Sequence, residues 1–158
     1  MKKVILFLII FSWVNTFGQN LNVYDLYIIQ ENKDINQVNY FLVKYKNFEY
    51  IGHLGVDEDG WDNYKFSKDG NELIVGTASG TKDGQFYELT SVLYTIYDPK
   101  EYNLFIEFLI INKFKKGEQD YNGNGIPFVI WSGTRDLKDM LRLVTIFEEK
   151  NKYSITII

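Results

Sequence analysis

Two short stretches carry side chains whose types and spacing could do chemistry. In Asp120-Tyr121-Asn122-Gly123-Asn124-Gly125, side-chain oxygens recur at alternate residues and a glycine follows the third. That is the first half of a calcium loop, in which alternate residues turn their oxygens inward and glycine permits the sharp bend. The second half is missing. The position expected to hold a bidentate glutamate is Trp131, and no flanking helices are predicted. A ligand from elsewhere in the chain, such as Asp136, could complete the set formed by Asp120, Asn122 and Asn124. The preferred reading is a tight loop whose Asn and Gly residues supply left-handed backbone, with calcium as the alternative and no other cofactor expected.

The second stretch gathers Asp57, Glu58, Asp59 and Asp62 around Gly60, with Trp61 beside them. Paired carboxylates next to an aromatic platform could protonate and attack a glycosidic bond, or chelate a hard cation. Acid and nucleophile must flank the scissile bond from opposite sides, however, and neighbours on one loop are poorly placed for that. A hydrolase built on Asp57, Asp59 and Asp62 is therefore the lesser alternative to a charged hairpin loop with Trp61 opening the next strand. His53 is the only histidine and cysteine is absent, which removes two-imidazole metal sites, thiolate chemistry and disulfides. A Ser-His-Asp triad would have to use His53, yet Ser67, Ser79, Ser91, Ser132 and Ser154 sit in no Gly-x-Ser-x-Gly elbow. Gly76, Gly80 and Gly84 lack the Lys-Ser or Lys-Thr sequel of a phosphate loop.

The chemistry that remains is binding. Trp61, Tyr121 and Trp131 are the candidate stacking surfaces for a small molecule or glycan, with a place in the core as the equal alternative for each. The alternative is a protein-interaction module of the cell envelope, such as an inhibitor or immunity protein, which suits an acidic surface without catalytic groups.

The elements that must position these residues read mainly as strands, in keeping with the many Tyr, Ile, Val and Phe. Alternating patterns predict a central hairpin of residues 86–97 and 102–114 around Asp98-Pro99, a type I turn signal. Further strands are expected at 21–30, 38–46 with 48–54, 61–67 with 72–79, 126–131 and 153–158, and a polar loop over 115–125. From Thr134 onward, Leu137, Met140, Leu141, Val144 and Phe147 recur at helical spacing, which predicts one C-terminal amphipathic helix. A strand over 141–148, carrying Val144-Thr145-Ile146, is the rival. The expected class is α+β, mainly antiparallel, as a curved sheet or partly closed barrel; an all-β barrel or sandwich is the alternative. No internal repeat is legible.

Met1-Lys2-Lys3, the apolar run from Val4 and the small residues Thr16 and Gly18 predict a secretory signal over residues 1–18. Its apolar core is shorter than the roughly 20 residues that span a bilayer. Residues 19–158 are then one β-rich domain, periplasmic or secreted, with no stable membrane insertion. Loss of Lys2 and Lys3 leaves that domain with 15 basic against 21 acidic residues, a net charge of −6, which disfavours nucleic acid as a partner. Protein recovered from the envelope of its own cells is expected to show an intact mass that begins at Gln19; a mass retaining Met1 would refute the cleavage.

Overall fold

The structure, a computed structural model, describes residues 20–135 and 140–157. The signal expected at 1–18, and Asp136, lie outside them. In chain order the elements are α1 (Val23–Glu31), α2 (Ile35–Lys46), β1 (Glu49–Val56), β2 (Asp62–Lys68), β3 (Asn71–Lys82), β4 (Gln85–Ile96), α3 (Pro99–Ile111), β5 (Lys115–Tyr121), β6 (Pro127–Arg135), β7 (Met140–Glu149) and β8 (Lys152–Ile157). All eight strands join one antiparallel sheet in the order β1-β2-β3-β4-β8-β7-β6-β5. The class is α+β and mainly antiparallel, and the sheet is open, with β1 and β5 at its edges among the described residues. Neither a barrel nor a sandwich forms. Among the described residues, no helix is long and apolar enough to cross a membrane.

One face of the sheet carries the core. Directly opposed residues Phe66, Leu73, Tyr94, Ile155, Ile146 and Val129 make a row across six strands, and every one is buried. Opposed residues share a face, so this row fixes which side is apolar. Helix α1 packs on β4 and β8, α3 on β4 and α1, and α2 against β1. Among the described residues, the opposite face carries no helix.

Three expected strands are helices, and the caps explain each. Asn22 accepts hydrogen bonds from Tyr24 N and Asp25 N while Asp25 reaches back to Asn22 N, a reciprocal cap that starts α1 where a strand over 21–30 was expected. Asp34 caps α2, whose buried Val38 and Leu42 lie four apart on one side, in place of a strand over 38–46. Asp98 accepts from Lys100 N and Pro99 occupies the first turn of α3. The Asp-Pro pair is thus a helix start, not a hairpin turn, and only the first strand of the central hairpin exists.

The C-terminal helix is likewise absent from the described residues: β6 runs to Arg135 and β7 occupies 140–149. Val144 and Ile146 are buried at a period of two, and β-branched residues suit that pleated surface. Residues 115–121, expected in a loop, form edge strand β5. The hairpin of β2 and β3 falls where expected.

The fold contains a repeat that no stretch of sequence identity discloses. Asp34 and Asp98 each cap a helix, 64 positions apart. Each helix ends in a left-handed residue, Asn47 or Lys113, followed by a buried phenylalanine. Phe48 N donates to Leu42 O, and Phe114 N donates to Leu109 O; the two phenylalanines are 66 apart. The β1–β2 and β5–β6 turns then match atom for atom. Asp57 Oδ1 accepts from Asp59 N and Trp61 N at 3.1 and 2.9 Å. Asn122 Oδ1, 65 positions later, accepts from Asn124 N and Ile126 N at 3.0 and 2.9 Å. Gly60 (φ 84°) and Gly125 (φ 74°) fill the same left-handed position. Because β4 pairs antiparallel with β8, the two units α2-β1-β2-β3-β4 and α3-β5-β6-β7-β8 are related by an approximate two-fold axis normal to the sheet. Replacing residues 57–60 with Asn-Gly-Asn-Gly is therefore expected to change the unfolding free energy by no more than about 1 kcal/mol, as for other exposed substitutions. Denaturant titration checks this, and a loss several times larger would show that the turns are not equivalent.

Candidate functional site

On the helix-free face of the first unit lies an open hollow of about 600 Å³. Its floor is made by two cross-strand rows: Asn63, Gly76 and Ser91, and beside them Ile74 and Leu93. Trp61 and Asp57 stand at the β1–β2 turn, and Leu54 closes the side towards the sheet edge. The register of β1 slips between Tyr50 and Gly52 and again between His53 and Gly55. Each slip is a bulge, and bulges bend an edge strand and redirect its side chains. The bulged Leu54 is thereby carried to the wall of the hollow.

Gly76 is what lets the floor close. A Cβ there would stand 2.6 Å from Ser91 Oγ, 2.8 Å from Asn63 Oδ1 and 3.3 Å from Trp61 Cε3. Any larger residue would drive these three side chains apart. Asn63 Nδ2 donates to Asp57 Oδ2 and to Trp61 O, both at 2.9 Å. Its two N–H groups are thus spent. Asn63 Oδ1 and Ser91 Oγ, by contrast, have no hydrogen-bond partner among the described residues. The Trp61 amide and the Asn63 carboxamide hold the Asp57 carboxyl below its ordinary range.

The sequence-derived candidates separate. Asp57 and Trp61 belong to the hollow, whereas Asp62 turns to the other face, where it accepts from Tyr64 Oη at 2.7 Å and bonds His53 Nε2. These bonds, that to His53 first, lower the Asp62 pKa, and the His53 ring stacks on Tyr64 with centroids 4.9 Å apart. Asp57 and Asp62 therefore do not converge on one ligand. Asp59 lies exposed at the turn. Trp131 is buried under the helices, opposite Val144, so its ring offers no platform to solvent. Tyr121 is exposed on β5, six strand spacings from β2, or roughly 29 Å. Asn122 spends its side-chain oxygen within its own turn, and Asp120 Oδ1 accepts from Tyr121 N. Among the described residues, no three His, Asp or Glu side chains gather as metal ligands.

Asn63, Gly76 and Ser91 escaped the sequence reading. The available signal was Gly76 inside an alternating strand, which marks a close approach of backbone to other groups. A second cavity, about 180 Å³, lies between α3 and residues 20–22; it is mainly apolar and holds none of the candidates. Comparison with protein-family models, curated proteins and solved structures finds no match.

The Asp57 shift gives a pH test. A depressed folded-state pKa means that the carboxylate supports the turn fully above the ordinary aspartate value of about 3.9 and loses that role as pH falls through the lower folded value. The amide resonance of Trp61 is expected to titrate with its midpoint below 3.9. A midpoint at or above that value would mean the ionised carboxylate does not hold the turn.

Proposed function

We propose that this protein is an exported, non-catalytic binding domain whose ligand, a small molecule or glycan, sits in the hollow beside Trp61. The observation that carries the reading is the meeting of an aromatic ring with two unpartnered polar atoms, Asn63 Oδ1 and Ser91 Oγ, over a glycine that makes room for them. Ligand sites combine apolar walls with a few convergent polar groups in this manner. Aromatic faces supply contact area, and the polar atoms fix orientation. The ground for export is the secretory signal expected from the sequence of residues 1–18.

A second reading, a protein-interaction module such as an envelope inhibitor, draws on the β3–β4 hairpin. Beyond Thr77 on β3 and before Leu93 on β4, these strands pair only with each other. Phe86, Tyr87 and Leu89 lie exposed on this arm. Large apolar side chains on a projecting ribbon suit a protein partner better than a small ligand.

The mature chain holds two tryptophans, Trp61, partly exposed, and Trp131, buried, so acrylamide quenching reports on Trp61. A screen of sugars and small polar molecules is expected to yield a ligand that protects Trp61, and Trp61→Ala to weaken its binding at least about tenfold, the loss of one good contact. A ligand bound equally well by Trp61→Ala would refute the hollow as its site, and loss of partner binding on Phe86→Ser with Leu89→Ser would favour the arm.

A further inference from the structure

Resting on the reading of the hollow as the binding site, we infer that the group it accepts is a positively charged hydrogen-bond donor, an alkylammonium or a guanidinium. The Asn63 carboxamide hydrogens and the hydrogen-bonded amides of the turn are already used. Both Asn63 Nδ2 hydrogens go to Asp57 Oδ2 and Trp61 O, Trp61 N and Asp59 N go to Asp57 Oδ1, and Gly60 N goes to Asp57 O. The indole touches the floor through Cε3, on the side of the ring away from its N–H. What the hollow still offers is Asn63 Oδ1, Ser91 Oγ, the Asp57 carboxylate and the Trp61 ring. Carboxylate and carboxamide oxygens accept, a hydroxyl can accept, and an indole face attracts cations.

The surrounding charge has the same sign. Asp57, Glu58 and Asp59 form the turn that walls the hollow. Lys65, one residue row away on the same face, is tied to Glu72 at 2.6 Å. An anionic ligand would meet the Asp57 carboxylate with only neutral donors such as the Ser91 hydroxyl, and with no lysine or arginine in the lining, to offset it. A cationic ligand would meet acceptors that have no protein partner among the described residues.

The repeat provides an internal control. The positions equivalent to Asp57, Trp61 and Asn63 are Asn122, Ile126 and Phe128. That second turn keeps every backbone hydrogen bond of the first while lacking the charge, the indole and the carboxamide. The turn thus requires an acceptor at its first residue and glycine at its fourth. Asp57, Trp61 and Asn63 are more than the fold demands, and together they make a cation site.

Such a group can belong to a free amine or to a lysine or arginine side chain on a partner. Both sources are tested by acrylamide quenching of Trp61 in the mature protein, with n-butylammonium, methylguanidinium, n-butanol, acetate and the peptide acetyl-Gly-Gly-Arg-Gly-Gly-amide as probes. The cations or the peptide are expected to protect Trp61, and n-butanol and acetate are not. Asp57→Asn, whose turn is supported by the Asn122 precedent, is expected to weaken cation binding at least tenfold. Protection by free cations as strong as by the peptide points to a small-molecule source; protection by the peptide alone points to a protein. Equal protection by n-butanol and n-butylammonium, or cation binding unchanged in Asp57→Asn, would overturn the inference and leave the hollow as a neutral-ligand site. If neither these probes nor the sugar screen protects Trp61, the inference and the binding reading fail together.

Discussion

The antiparallel seam between β4 and β8 is the constraint on which the other packing depends. It consists of four residue pairs, from Leu93 with Thr156 to Ile96 with Tyr153, yet it converts two four-stranded meanders into one sheet with one apolar face. Helix α1, which has no counterpart in the second unit, lies across it. Tyr27 Oη donates to Leu143 O on β7 at 3.4 Å, Gln30 Nε2 to Ile157 O on β8 at 3.2 Å, and Thr90 Oγ1 on β4 to Asn32 O at 3.1 Å. The Arg142 guanidinium stands 4.9 Å over the buried Tyr27 ring and also bonds Glu31. Apolar burial is non-directional. These polar contacts at the end of the helix therefore fix its angle, and Val23, Leu26 and Ile29 supply the burial that holds it down.

The legible parts of this fold are those where local chemistry and tertiary context agree. The β2–β3 hairpin was readable because Asp69-Gly70 demands a left-handed turn and the flanking strands alternate. Residues 102–111 were misread because Tyr102, Leu104, Ile106 and Phe108 alternate while Tyr102, Phe105, Ile106 and Leu109 fit a helix equally well. So apolar a stretch satisfies both periods. The cap decides between them, and Asp98 with Pro99 has two meanings: turn opening or helix start. The C-terminal segment is the reverse case. Its helical spacing was present, but Val144 and Ile146 had places waiting opposite Trp131, Ile157, Val129 and Ile155. Single-chain periodicity contains no information about those partners.

The repeat was illegible for a related reason. What the two units share is a short set of requirements: an aspartate that caps, a left-handed residue, a phenylalanine that enters the core, a side-chain acceptor and a glycine. Between these positions the physics asks only for apolar alternation, which different residues meet equally well. Asp57-Glu58-Asp59-Gly60 and Asn122-Gly123-Asn124-Gly125 resemble an acidic site and half a calcium loop, yet both are the same hydrogen-bonded turn. Oxygens at alternate positions are as much the mark of a carboxylate or carboxamide bonding its own backbone as of a metal site. The candidate site was half visible for the same cause: Asp57 and Trp61 lie four residues apart on one turn, whereas Asn63, Gly76 and Ser91 meet only through strand register.

The helix-free face shows how one architecture becomes asymmetric. In the second unit, Phe128 packs against Phe147 at 5.4 Å, and Thr145 beside them is buried although no helix among the described residues covers it. Large side chains there cover the sheet. In the first unit the corresponding strands place Asn63 opposite Gly76, and the missing side chain leaves a depression. The edges differ as well. Strand β5 protects its free backbone with Lys115, Lys116, Glu118 and Asp120, the usual defence against unwanted pairing. Strand β1 carries exposed Ile51, Leu54 and Val56 and relies on two bulges, which interrupt a straight ladder. Those bulges also raise the wall of the hollow, so the device that keeps this edge from pairing is the one that shapes the site.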